Sequence, residues 1–235
     1  MLYRNNVNNK INDLELKSLQ DKLQTVYNTA DMKTKEGRIK YGKVVEEIVL
    51  KTLQLTKSNK GVWEFNNIDD KYAADIKYVK KTDSKNNQET TETEETEDYL
   101  PKLYDVKGVF FDSELNSGYC NPNSEVFRVS IPLETEKVSG SNIFTTNYSL
   151  SYLKNETFKG LIVYYPVSQR IFGVGRNYLE DIRRLNEGEK PINKGVYIST
   201  SKNGHRYMAF KTNLVKELVN GRWINYTQKG GIKNV

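Results

Sequence analysis

Residues 38–111 place one apolar helix ahead of three short strands, and that succession restricts the fold more than any other feature of the chain. "RIKYGKVVEEIVLKTLQLT" (38–56) repeats Val, Ile and Leu at helical spacing. "GVWEF" (61–65), "YAADIKYVKK" (72–81) and "KLYDVKGVFF" (102–111) are instead short runs rich in β-branched and aromatic residues. A helix and strands that each carry an apolar face must be layered on one another, so the expected fold is α/β or α+β with a central mixed sheet flanked by helices.

The flanking segments extend this pattern. "INDLELKSLQDKLQTVYNT" (11–29) spaces Leu14, Leu19, Leu23, Val26 and Tyr27 for an amphipathic helix. Downstream, strands are expected at "VFRVSIPL" (126–133), "GLIVYYP" (160–166) and "RIFGVG" (170–175), with a short helix in "NYSLSYLKNE" (147–156). A further helix over 177–188 stops at Gly188. "GVYISTSKNGHRYMAF" (195–210) reads as a hairpin turning at Asn203-Gly204, and "TNLVKELVNG" (212–221) as a capped helix. The expected organisation is an N-terminal helical extension (1–37), a core (38–175) and a C-terminal extension (176–235) that adds a hairpin and a helix.

Charge is spread unevenly. Residues 82–98, "TDSKNNQETTETEETED", hold seven acids and one base, a composition that cannot bury a core and reads as a mobile loop. The chain carries +6 and this segment −6, which leaves +12 on the remainder. A body that basic favours a polyanionic partner. No apolar run approaches the roughly 20 residues that span a bilayer, and the N-terminus lacks the apolar stretch of a signal peptide. Cys120 and His205 are each alone, which leaves no intramolecular disulfide, cysteine zinc site or two-histidine mechanism. These features describe a cytoplasmic protein with no membrane partner.

The chemistry concentrates in the last two of the three strands. Asp105 and Lys107 lie two apart in "KLYDVKGVFF", so the strand period puts an acid and a base on one face. Asp75 holds the centre of "AADIKYV". If the two strands pair, Asp75 and Asp105 converge with Lys107, and two partly buried carboxylates then need a cation or a shared proton. Mg²⁺ suits such a site, because it takes oxygen ligands and keeps most of its waters. On the preceding helix, Val49, Leu50 and Leu53 follow Glu46 at +3, +4 and +7, which sets Glu46 within the buried stripe, whereas Glu47 points to solvent. The plainer alternative is an ion pair across two exposed strands, worth little in water. A second register reads Asp69 or Asp70 as the first acid and Asp75-Ile76-Lys77 as the acid–lysine strand.

The order "YGKVVEEIVLKTL", "AADIKYV", "YDVKGVFF" resembles the PD-(D/E)XK nuclease superfamily, in particular type II restriction endonucleases and archaeal Holliday junction resolvases. The resemblance covers roughly residues 38–111. Gly42 to Glu46 matches the helix pattern Gly-x-x-x-Glu, Asp75 the strand acid, and Asp105-Val106-Lys107 the D/E-x-K strand; Ala74 stands where the motif's name has proline. The resemblance implies a restriction-endonuclease-like αβββαβ core, its last helix and strand drawn from 147–175. It also implies Mg²⁺, with Mn²⁺ as substitute, held by Asp75, Asp105 and the Val106 carbonyl. Lys107 would stabilise charge on the phosphate or orient water, Glu46 would support the metal shell, and DNA phosphodiester hydrolysis would follow, often by a homodimer. A restriction-type or phage-type endonuclease is the leading expectation, a junction resolvase the second. A non-catalytic DNA- or protein-binding module on the same sheet is the reading from another class.

Overall fold

The computed structural model describes residues 2–56, 61–67, 74–81, 100–116, 122, 124–132, 135–139, 142–146, 152–200 and 206–226. The chain is mixed α/β and divides into two compact units, Met1–Gly108 with Thr157–Lys159, and Val109–Glu156 with Gly160–Val235.

The first unit opens with α1 (Leu2–Thr29) and α2 (Lys35–Leu55). Thr34 caps α2 by accepting the Gly37 N–H at 3.1 Å, and Glu36 in the first turn complements the helix dipole. Tyr41, Val44, Val45, Ile48, Val49 and Leu53 form the buried stripe of α2. It packs on α1 and on strands β1 (Gly61–Phe65) and β3 (Lys102–Gly108). Each such fully buried aliphatic side chain is worth about 1.5–3 kcal/mol. Across α1 and α2, Lys22 pairs with Glu47 at 2.8 Å and Lys51 with Glu15. Glu47, expected in solvent, stays partly exposed while making this pair.

β2 (Ile76–Lys80) pairs antiparallel with both β1 and β3. Its registers set Glu64 opposite Lys77, and Ile76 opposite Tyr104. Ala74 and Asp75 precede this strand instead of lying inside it, and β3 ends at Gly108, short of the expected residue 111.

In the second unit, α3 (Phe111–Asn116) follows, so Phe111 opens a helix where a strand was expected. Residues 152–154, part of the expected helix 147–156, form a single 3₁₀ turn; residues 147–151 lie outside the described set. The expected second core helix is therefore not an α-helix in its described part. β7 (Phe158–Tyr165) and β8 (Arg170–Gly175) form a hairpin, followed by α4 (Arg176–Asn186). β4 (Val126–Pro132), β9 (Val196–Thr200) and β10 (Arg206–Lys211) pair in the order β4-β10-β9, and β5 (Thr135–Ser139) pairs with β6 (Asn142–Thr146).

The closing helix expected at 212–221 is overturned. Thr212–Leu214 form a 3₁₀ turn, and Val215–Val219 form β11, paired antiparallel with β8 and with β12 (Arg222–Asn225). Asn220 and Gly221 have φ of 48° and 76°, the two-residue turn that joins twisted strands. Val215 opposite Val174 is fully buried, so sheet pairing outweighs the helical spacing of "LVKELV".

Candidate functional site

The four residues singled out from the sequence all lie in the first unit. Asp105 sits mid-strand on β3 and is 1% exposed. Two residues on, the Lys107 ammonium returns to the same face and lies 2.8 Å from Oδ1, to which it donates a hydrogen bond, and 2.8 Å from Oδ2. Asp75 occupies the bend ahead of β2. Continued by one residue, the Ile76–Tyr104 register sets Asp75 opposite Asp105. The Val106 N–H donates to Asp75 Oδ2 at 2.6 Å, fixing that carboxyl beside β3.

The electrostatics follow from this crowding. Burial, the largest cause, pushes the Asp75 carboxyl up to about 9; the Asp105 charge adds to the rise, Lys107 opposes it, and a carboxyl–carboxyl hydrogen bond with Asp105 and the charge of Glu46 raise it further. Burial and the neighbouring charge thus favour the protonated form of Asp75 when no cation is present.

Glu46 feels the same neighbours. Burial raises its carboxyl above the ordinary glutamate value, Lys107 pulls it down, and Asp105 raises it again. It is half-buried, at the rim of the α2 stripe, while Val45 and Val49 are buried beside it. The centring on Glu46 expected from +3, +4 and +7 is therefore displaced, because Val45 and Ile48 on its other flank take the middle of the stripe. Among the described residues no three His, Cys, Asp or Glu side chains are grouped to hold a metal ion. Glu46 lies near enough to Asp105 and Lys107 for their charges to act on it.

Two observations decide whether these residues suit a divalent ion. Among the described residues no donor completes a hydrogen bond to the buried Oδ2 of Asp105, although the Lys107 charge lies close to it. In an extended strand a residue's N–H and C=O point to the same edge, so the Val106 carbonyl faces the side from which Asp75 approaches. Two carboxylates and one carbonyl, completed by water, form a donor set of the kind Mg²⁺ accepts.

No protein-family model, curated protein or solved structure matches this chain.

Other sequence-singled residues are engaged elsewhere. Lys77 pairs with Glu64 at 3.2 Å across β1 and β2. Arg176 and Arg183 pair with Glu180, Arg183 also with Glu187, and Arg184 with Glu189. Asp69, Asp70, Cys120, His205 and the acidic segment 82–98 lie outside the described residues. Sequence reasoning passed over two buried acids, Glu114 and Asp181. Glu114 accepts the N–H groups of Val167 and Ser168, both at 2.8 Å, and Asp181 accepts those of Ile192 at 2.7 Å and Asn193 at 2.9 Å. Both clasp turns of the second unit and serve its structure. Among the described residues, no helix is long and apolar enough to cross a membrane.

Proposed function

We propose that the chain is a Mg²⁺-dependent DNA endonuclease with a restriction-endonuclease-like core. One observation carries this reading: the Asp75 carboxyl, in the bend before β2, is fixed beside Asp105 of β3 by the Val106 amide, with the Lys107 ammonium 2.8 Å from Asp105. The order α2, β1, β2, β3 supports it, since Glu46, Asp75 and the Asp105-Val106-Lys107 run then fall on successive parts of one layered unit.

Asp75, Asp105 and the Val106 carbonyl would hold the ion. Bound there, Mg²⁺ would polarise a phosphoryl oxygen and acidify a coordinated water. Asp105 keeps Lys107 oriented on the same face, and the ammonium is positioned to stabilise negative charge developing on a phosphate or to orient the attacking water. Glu46 supplies negative charge at the rim, where it can accept hydrogen bonds from waters. Mn²⁺ would substitute for Mg²⁺. A restriction-type or phage-type enzyme, acting on both strands as a homodimer, is preferred to a junction resolvase because Val109–Glu156 with Gly160–Val235 form a large second unit.

The test is cleavage of linear, supercoiled, single-stranded and four-way-junction DNA with Mg²⁺ or Mn²⁺, by wild type and by Asp105→Ala. Metal-dependent cleavage lost in the variant supports the reading. The second reading, a non-catalytic binding module, draws on Lys107 lying equally close to both Asp105 oxygens, which neutralises that carboxylate without a metal. Absence of cleavage on every substrate, with no Mg²⁺ bound near Asp75, selects that alternative.

A further inference from the structure

Gly108 closes β3 directly after Lys107, and α2 approaches the backbone there more closely than a side chain permits. A Cβ built on Gly108 would lie 2.7 Å from Val45 Cγ2, 3.1 Å from Tyr41 Cε1 and 3.2 Å from Val45 Cγ1. Neither neighbour can yield cheaply. Val45 is 1% exposed and β-branched, with one strongly preferred rotamer in a helix, and Tyr41 is 2% exposed and in ring contact with Tyr27. An added methyl group must therefore displace α2 from β3.

What travels with that contact is the candidate site. Glu46 follows Val45 on α2, and Lys107 precedes Gly108 on β3. The Val45–Gly108 contact is thus one residue removed, on both elements, from the charged groups that sense each other. We propose that Gly108 is a positioning residue: its missing side chain sets the separation of α2 and β3, and through it the distance of the Glu46 carboxyl from Lys107 and Asp105. The packing half of this stands alone, whereas its consequence for catalysis rests on the nuclease reading above.

Two cycles of variants test it. In thermal melts, Gly108→Ala and Val45→Ala each lower Tm, and the double variant melts above Gly108→Ala, because the smaller residue 45 makes room for the new methyl. Losses that simply add would overturn the packing role. In DNA cleavage with Mn²⁺, Gly108→Ala lowers kcat by roughly tenfold with KM for DNA unchanged. Val45→Ala in that background recovers most of the loss, and in a Glu46→Gln background Gly108→Ala costs almost nothing further. Wild-type turnover in Gly108→Ala, or an equal loss with Glu46 already neutralised, would overturn the link to Glu46. A wild type that cleaves nothing, combined with the expected melting cycle, overturns the nuclease reading and the link to Glu46 while the packing role stands.

Discussion

Two carboxyls and an ammonium gathered where the bend before β2 meets β3 cannot all bear full charge without cost, and Asp75 shows where that cost falls. Its carboxyl rises from 3.8 to about 9, first through burial and then through the neighbouring Asp105 charge. Between those values the metal-free folded chain holds a proton that the unfolded chain has lost. Its contribution to stability is therefore complete below about pH 4 and is lost as pH rises through about 9. Melts of wild type and Asp75→Asn across this window should diverge, the wild type losing Tm relative to the variant as pH rises. Excess Mg²⁺ should restore the wild type at the alkaline end, because an ion that binds only the folded state replaces the proton. If the proposed site is right, Asp105→Ala should reduce cleavage by at least about 100-fold and abolish that Mg²⁺ effect, since it removes a proposed ligand and takes from Lys107 its buried partner. The acid–lysine spacing of 105 and 107 was legible in the sequence because a strand repeats every two residues. The Val106 amide on Asp75 and the Val45–Gly108 contact were not, because both depend on where another element docks.

Elements show a similar split between local and tertiary signals. The helix expected at 38–56 was legible from its apolar stripe, but its start at Lys35, where Thr34 caps it, was not. Residues 214–219 misled, since "LVKELV" satisfies helical spacing as well as strand alternation, and burial of Val215 against β8 decided it. Asn220-Gly221 carried the deciding local signal, the same dipeptide that marks the expected turn at 203–204. α3 is different again: six residues are too few to be stable on their own, and the Glu114 side chain helps tie the helix down. Glu114 receives two N–H groups from the turn between β7 and β8, where Gln169 holds a φ of 54°. Glu114→Ala leaves both amides without that acceptor and should cost about 1–3 kcal/mol for each amide that water cannot reach. Calorimetry should show a Tm lower by several degrees, and Glu114→Gln, which retains one acceptor oxygen, should recover part of the loss.

At the scale of the whole molecule, charge is the property that tests the polyanion reading without reference to cleavage. Many of the described basic side chains, among them Lys22, Lys51, Lys77, Arg183 and Arg184, already face an acid within ion-pair distance, so they add little local positive field. What can draw DNA is the net excess, and residues 82–98 offset half of the +12 carried elsewhere. β2 and β3 are adjacent and antiparallel, with Tyr78 opposite Lys102, so a few glycines and serines can replace that segment without straining the sheet. The shortened chain would carry +12 in place of +6. Its affinity for duplex DNA should rise by roughly an order of magnitude at low salt, the gain shrinking as added salt shortens the screening length toward about 3 Å at 1 M. Fluorescence anisotropy with a labelled duplex across a salt series reads both effects. Equal affinity of the two chains at low salt would mean that the positive excess does not face nucleic acid, and would remove the support that charge gives to a DNA partner.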